Sequence, residues 1–216
     1  MKTTILACVF SLSALGQEPA PAPAPVTEPA PAPVPVPVLT PAQTRDQALI
    51  KLIDGRRSYL PNALEGAALS DGKGDHKLTS IPGNFSHTFA FVTALFYADF
   101  PDQHAEFRAA GNTPTIWIRI DTNPKGRVFL VKAKVNERTQ NRSVKVGRSG
   151  FGSVSSIMVP DSDWTVPFTS KDHGDGLWEI TPKAPLKPGE YGIFASAMAS
   201  GAPTGGGGIL YDFGID

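Results

Sequence analysis

The sequence predicts an all-β protein: an antiparallel β-sandwich of roughly eight to ten strands with one short N-terminal helix, carried on a proline-rich stalk. Three observations predict it. Apolar and polar residues alternate in short runs from Ile116 to the C-terminus. Turn-forming Pro, Gly, Asn and Asp separate those runs at strand spacing. Proline alternates with Ala or Val through most of residues 19–37, which excludes both helix and interior strand.

Taken in order, the chain starts with Lys2 and an apolar run, Ile5 to Phe10, continued by Leu12, Ala14 and Leu15. Small residues at Ala14 and Gly16 suit a signal peptidase, so residues 1–16 read as a signal peptide cut before Gln17. Ile5-Leu6-Ala7-Cys8 loosely follows the order of a lipidation motif, but too few residues precede Cys8 for a positive region and an apolar core. The stretch is also shorter than the roughly 20 apolar residues that span a bilayer. The expected mature chain is exported, periplasmic or extracellular, with no transmembrane segment. It also lacks cysteine, because Cys8 is the only one.

Residues 17–41 form a Pro/Ala/Val-rich spacer. Alternating proline fixes φ and removes every second donor, giving an extended polyproline II rod of about 3.1 Å per residue. No PxxP motif with a flanking basic residue is present, which argues against SH3-type recognition. The expected globular domain is 42–216.

Thr40-Pro41 reads as an N-cap and first helical residue, and Leu49, Ile50, Leu52 and Ile53 give a helical stripe ending at Asp54-Gly55. Residues 85–100 fit a buried helix or a strand, and their aromatic content favours strand. Ile116, Ile118 and Ile120 alternate with Trp117, Arg119 and Asp121. After the turn Asn123–Gly126, Phe129, Val131, Ala133 and Val135 alternate with Val128, Leu130, Lys132 and Lys134. Two such runs about a short turn predict an antiparallel hairpin. Val144 and Val146 continue the pattern; residues 147–156 read as a Gly/Ser-rich loop. Strands are expected at 166–170, 177–181, 191–195 and 209–213, with turns at 173–176 and 188–189 and a glycine run at 205–208.

Composition bounds the function. Twenty basic residues oppose twenty acidic ones, so no concentrated positive field exists to hold nucleic acid or an anionic membrane.

Trp178–Pro182, Pro185–Tyr191 and the closing Tyr211-Asp212-Phe213-Gly214-Ile215-Asp216 resemble a group of uncharacterised exported bacterial β-sandwich proteins. Those proteins share an "LxPGEYA" segment and a C-terminal "FDFGV/ID" strand. The likeness covers residues 113–216 and departs at Gly192, where the group usually has alanine. It implies a sandwich and an exported location, and no activity. Pro188, Gly189, Tyr191 and Phe213 are the structural residues singled out here. Proline and glycine set a tight turn, and Tyr191 enters the next strand with Ile193 and Ala195 on its side. Its hydroxyl is expected to reach back to the turn backbone.

The chemical motifs are weak. Asp212-Phe213-Gly214 matches the kinase metal-binding triplet in letters, without the other kinase elements. Gly147, Gly150 and Gly152 lack the Gly-Lys-Ser/Thr ending of a phosphate loop. His76, His87, His104 and His173 have no zinc spacing. Asp71, Asp75, Asp161, Asp163, Asp172 and Asp175 do not follow a calcium-loop order. Gly147-Arg148-Ser149-Gly150 falls one residue short of a nucleophile elbow. The expectation is therefore no catalytic residue, no metal and no cofactor. Trp117 on an alternating strand, beside Arg119, suits a saccharide-stacking platform, as does Trp164. It equally suits a second buried face covered by a loop or by helix 41–53.

Three functions follow as expectations. The first is a non-catalytic structural or protein-binding module held off an envelope surface by the spacer. The second is a carbohydrate-binding module using Trp117, Arg119 and Trp164. The third is a hydrolase with a dispersed catalytic set. The partner on these readings is an envelope protein or a polysaccharide.

Overall fold

The computed structural model describes residues 39–53, 63–90, 92–150, 153–154, 158–196 and 206–216. The predicted signal peptide and all of the spacer before Leu39 lie outside the described residues, as do Phe91, Gly152 and Gly205.

Among the described residues the fold is all-β with one α-helix. Helix α1 (Pro41–Ile53) starts in a capping box: the Gln43 N–H donates to Thr40 Oγ1 at 3.3 Å, and the Thr40 N–H donates to Gln43 Oε1 at 2.9 Å. Strands β1 (Gly66–Ser70), β2 (Asp75–Leu78), β3 (Ser80–Ala90), β4 (Thr93–Pro101) and β5 (Arg108–Ala109) follow. Then come β6 (Thr115–Arg119), β7 (Val128–Asn136), β8 (Asn141–Gly150) and β9 (Ser153–Val154). A 3₁₀ turn (Ser162–Trp164) precedes β10 (Phe168–Gly174), β11 (Leu177–Pro182), β12 (Gly189–Ala195) and β13 (Gly206–Ile215). The 13 strands among the described residues exceed the eight to ten expected, chiefly because β1, β2 and the two-residue strands carry little alternation. Residues 85–90 and 93–100, read as strand, lie in the paired strands β3 and β4.

The strands form two sheets. One has the order β10-β11-β6-β1-β2. In the other, β12-β7-β8-β4-β3-β13 closes on itself, because β13 also pairs with β12. Closure leaves no strand of the ring at an end of the sheet, although β3 beyond Asn84 pairs only with β4. The outer faces of β7, β12 and β13 pack on the open sheet. Ile116, Ile118 and Ile180 meet Leu130, Ile193 and Phe213 there. The closed sheet has its own interior, filled by Ala98, Phe100, Val131, Val144, Val146, Phe194 and Leu210. Gly192 faces that interior, where a Cβ would come within 2.6 Å of Leu210 Cδ1 and 2.9 Å of the Tyr211 carbonyl oxygen. Alanine does not fit here without a shift.

The opposite face of the open sheet is covered by α1. Leu49 and Ile53 pack on Ala68, Trp117 and Leu177. The alternation of β6 therefore reads correctly, and both of its faces are buried.

Three expectations are corrected. Runs 116–120 and 128–135 are not a hairpin: β6 lies in the open sheet and β7 in the closed one. Their alternating residues meet in one core from opposite sides, and the turn at Pro124 only carries the chain across. Gly147 and Gly150 are part of β8 rather than of a loop. His173 and Gly174 close β10 rather than belonging to the turn.

Candidate functional site

Trp117 is not an outward platform. It is 3% exposed, with its indole N–H donating to Ser70 Oγ at 2.8 Å and the His173 ring edge-on at 5.0 Å. Arg45 of α1 lies over the ring at 5.3 Å. Arg119 is also buried and pairs with Glu65 at 3.0 Å. Helix α1 folds back over Trp117, and Arg119 is buried in its pair with Glu65, so neither forms an outward platform.

Trp164 stands elsewhere. Strands β7 and β8 pair directly at only three positions, Lys134–Asn136 against Asn141–Ser143. Beyond these they splay, and the segment 158–166 wedges between them. The Met158 and Asp161 N–H groups donate to the Val146 and Lys145 carbonyls of β8, at 2.8 and 3.1 Å. On the other side, the Val166 N–H donates to the Leu130 carbonyl of β7 at 2.7 Å. The Asp161 carboxylate pairs with Lys145 at 2.7 Å. The 3₁₀ turn thus holds Trp164 on a pinned wedge, half-buried, with Tyr97 edge-on at 6.2 Å and the Lys134 ammonium 4.4 Å from its ring centroid.

A groove of about 780 Å³ runs beside this pair across β3, β4, β8 and β7. Asp99 Oδ1 accepts from Ser143 Oγ at 2.5 Å. Asn136 Oδ1 accepts from the Arg138 and Thr139 N–H groups at 3.1 and 3.3 Å, and Asn141 Oδ1 accepts from Thr139 Oγ1 at 2.6 Å. Both amides spend their oxygen on the β7–β8 turn, which leaves their NH₂ donors to the groove. The alternation of Tyr97 and Asp99 with the inward Phe96, Ala98 and Phe100 is the sequence signal for this face, which the strand reading of 85–100 did not draw out. The meeting of Tyr97 with Trp164 carries no such signal.

One end of the closed sheet holds a charged cluster. Arg142 is 1% exposed and points inward in register with Val144 and Val146. Its Nη1 pairs with Asp212 at 2.5 Å and lies 3.7 Å from Glu190; its Nε and Nη2 donate to the carbonyls of Asp102 and Pro101 at 3.0 and 3.2 Å. Glu190 also accepts from the Ala105 N–H at 2.8 Å and from Arg108 at 2.6 Å, with the His104 ring nitrogen at 3.1 Å. Burial alone would raise the Glu190 carboxyl; the Ala105, Arg108 and His104 contacts outweigh it and hold it below its ordinary value. Asp212 goes the other way, because burial pushes it up by more than the Arg142 pair offsets. An adjoining pocket of about 750 Å³ is lined by Lys77, Glu106 and Asp212. The sequence signal for this cluster is an arginine in phase with the inward Val144 and Val146 of an alternating strand.

The histidines sit apart. His76 faces Asp71 at 3.6 Å and stacks near Phe107; His87 lies against Phe89 and Phe96. His104 belongs to the Glu190 cluster, and His173 bridges Glu179 at 2.9 Å and Asp46 at 3.4 Å. Among the described residues no three His, Cys, Asp or Glu side chains gather as a metal site. No helix among them is long and apolar enough to cross a membrane.

The Pro188–Tyr191 corner has its own geometry. Gly189 has a φ of 150°, and the Tyr191 hydroxyl donates to the Lys187 carbonyl at 2.8 Å. Its ring stacks on Phe213 at 6.0 Å, and Lys132 lies 5.5 Å from its centroid. No protein-family model, curated protein or solved structure gives a significant match to this chain.

Proposed function

We propose that the domain is a non-catalytic binding module of an exported protein, and that the Tyr97–Trp164 groove is its working surface. The observation that carries this reading is the division of polar groups between two kinds of place. Arg142, Asp212, Glu190 and Arg108 are spent on one another at the end of the closed sheet. His173, Asp46 and Glu179 are spent on seating α1. The groove instead gathers aromatic, amide and carboxylate side chains on the outward face of the closed sheet, around β4, which is hydrogen-bonded on both sides. Concave surfaces with a few placed polar groups are where ligands bind. The alternating-proline segment supports presentation of this surface at a distance from an envelope.

The test is co-sedimentation of the mature chain with insoluble envelope material of the producing cell. The wild type is expected to pellet, and the double variant Tyr97→Ala/Trp164→Ala to stay in the supernatant. Lys171→Ala, on the far sheet edge, should behave as wild type. Equal pelleting of wild type and double variant would overturn the reading.

A further inference from the structure

We propose that the groove binds a neutral polysaccharide, with Trp164 as the stacking platform; this rests on the groove being the module's working surface. Four observations narrow the ligand.

The first concerns the backbone. An extended peptide binds a sheet by adding a strand to a free edge. Here the central strands of the groove, β4 and β8, are hydrogen-bonded on both sides at Tyr97, Asp99, Asn141 and Ser143, so recognition over them runs through side chains; only β3 beyond Asn84, at the groove's margin, pairs on one side alone. The second concerns charge. Lys134 and Arg138 stand against Asp99 and Glu137 among the lining residues, a balance that offers no net field to phosphate or to a polyanion. The third concerns hydrogen bonding. The Asn136 and Asn141 NH₂ groups and the Asp99 carboxylate present donors and acceptors side by side, which suits vicinal hydroxyls. The fourth concerns the platform. Trp164 is fixed by the wedge between β7 and β8 before any ligand arrives, so little ordering remains to be done on binding. A ligand with an apolar C–H face and a rim of hydroxyls fits all four; an acidic glycan fits three.

The experiment is affinity electrophoresis of the mature chain through gels containing β-glucan, glucomannan, galactomannan or glycol chitin, with polygalacturonate as the acidic arm. At least one neutral gel should retard the wild type. Trp164→Ala should weaken that retardation about tenfold or more. Trp164→Tyr should recover part of it, and Asn141→Ala should weaken it severalfold. His76→Ala, which lies outside the groove, should match wild type. Thermal midpoints of all variants check folding; if Trp164→Ala does not fold, Trp164→Tyr and Asn141→Ala carry the comparison. Retardation by polygalacturonate alone, or retardation indifferent to Trp164, overturns the proposal. If no glycan retards the chain while envelope co-sedimentation still depends on the groove, the ligand class is wrong and the module reading stands. If co-sedimentation ignores the groove as well, both fall.

Discussion

Tyr191 shows how one side chain can close a corner. Its ring is 3% exposed against Phe213, and its hydroxyl satisfies the Lys187 carbonyl just upstream of the Pro188-Gly189 turn. Tyr191→Phe removes one hydrogen bond and should cost about 0.5–1.5 kcal/mol. Tyr191→Ala also leaves a void and should cost about 3–5 kcal/mol; urea melts separate the two. Glu190 makes a pH prediction. Its carboxyl is held below the ordinary 4.5 in the folded chain, so its stabilisation is complete above that value and is lost as pH falls through the depressed one. Asp212, raised from 3.8, works oppositely: the folded chain holds its proton longer, so its contribution declines as pH rises above that value. The thermal midpoint of wild type should therefore drop on acidification below about pH 4.5, and Glu190→Gln should show a shallower drop from a lower starting midpoint. An acid limb of unchanged slope in Glu190→Gln would remove Glu190 from this account.

At the scale of elements, α1 is the part whose position has the largest consequence for one residue. It buries only Leu49 and Ile53, yet it converts Trp117 from a surface aromatic into a covered one. Leu49→Ala should loosen this seat, at a cost of about 2–5 kcal/mol if the site cannot collapse. Its signature is optical: acrylamide should quench more tryptophan emission in the variant than in wild type. If quenching is unchanged, α1 is not what shields Trp117. The wedge 158–166 is the complementary device. By filling the gap between β7 and β8 it both completes the wall and carries Trp164.

For the whole molecule, closure divides the stability. Strand β12 has hydrogen-bonded neighbours on both sides, β7 and β13, within a ring that has no free end. The open sheet ends at β10 and β2, whose outer edges have no partner strand among the described residues. Native-state hydrogen exchange should therefore be slowest in β12 and β13 and fastest in β10, whose residues are mostly exposed. Amides of β10 as slow as those of β12 would mean that the two sheets open together as one unit.

Chemistry local to the chain was enough for much of this. Proline alternation, the Thr40-Pro41 cap and the period-two runs are short-range patterns, so the single helix, the all-β class and the two faces of β6 were readable from residue spacing alone. The site was not, because each of its parts depends on distant partners. Which sheet each of β6 and β7 joins is decided by the core they share, not by the turn between them. The burial of Trp117 depends on a helix more than sixty residues upstream folding back over it. Trp164 meets Tyr97 only because β7 and β8 diverge and a third segment enters the gap. Periodicity reports which face a side chain takes; what covers that face is settled by long-range packing, and there the tertiary structure alone decides.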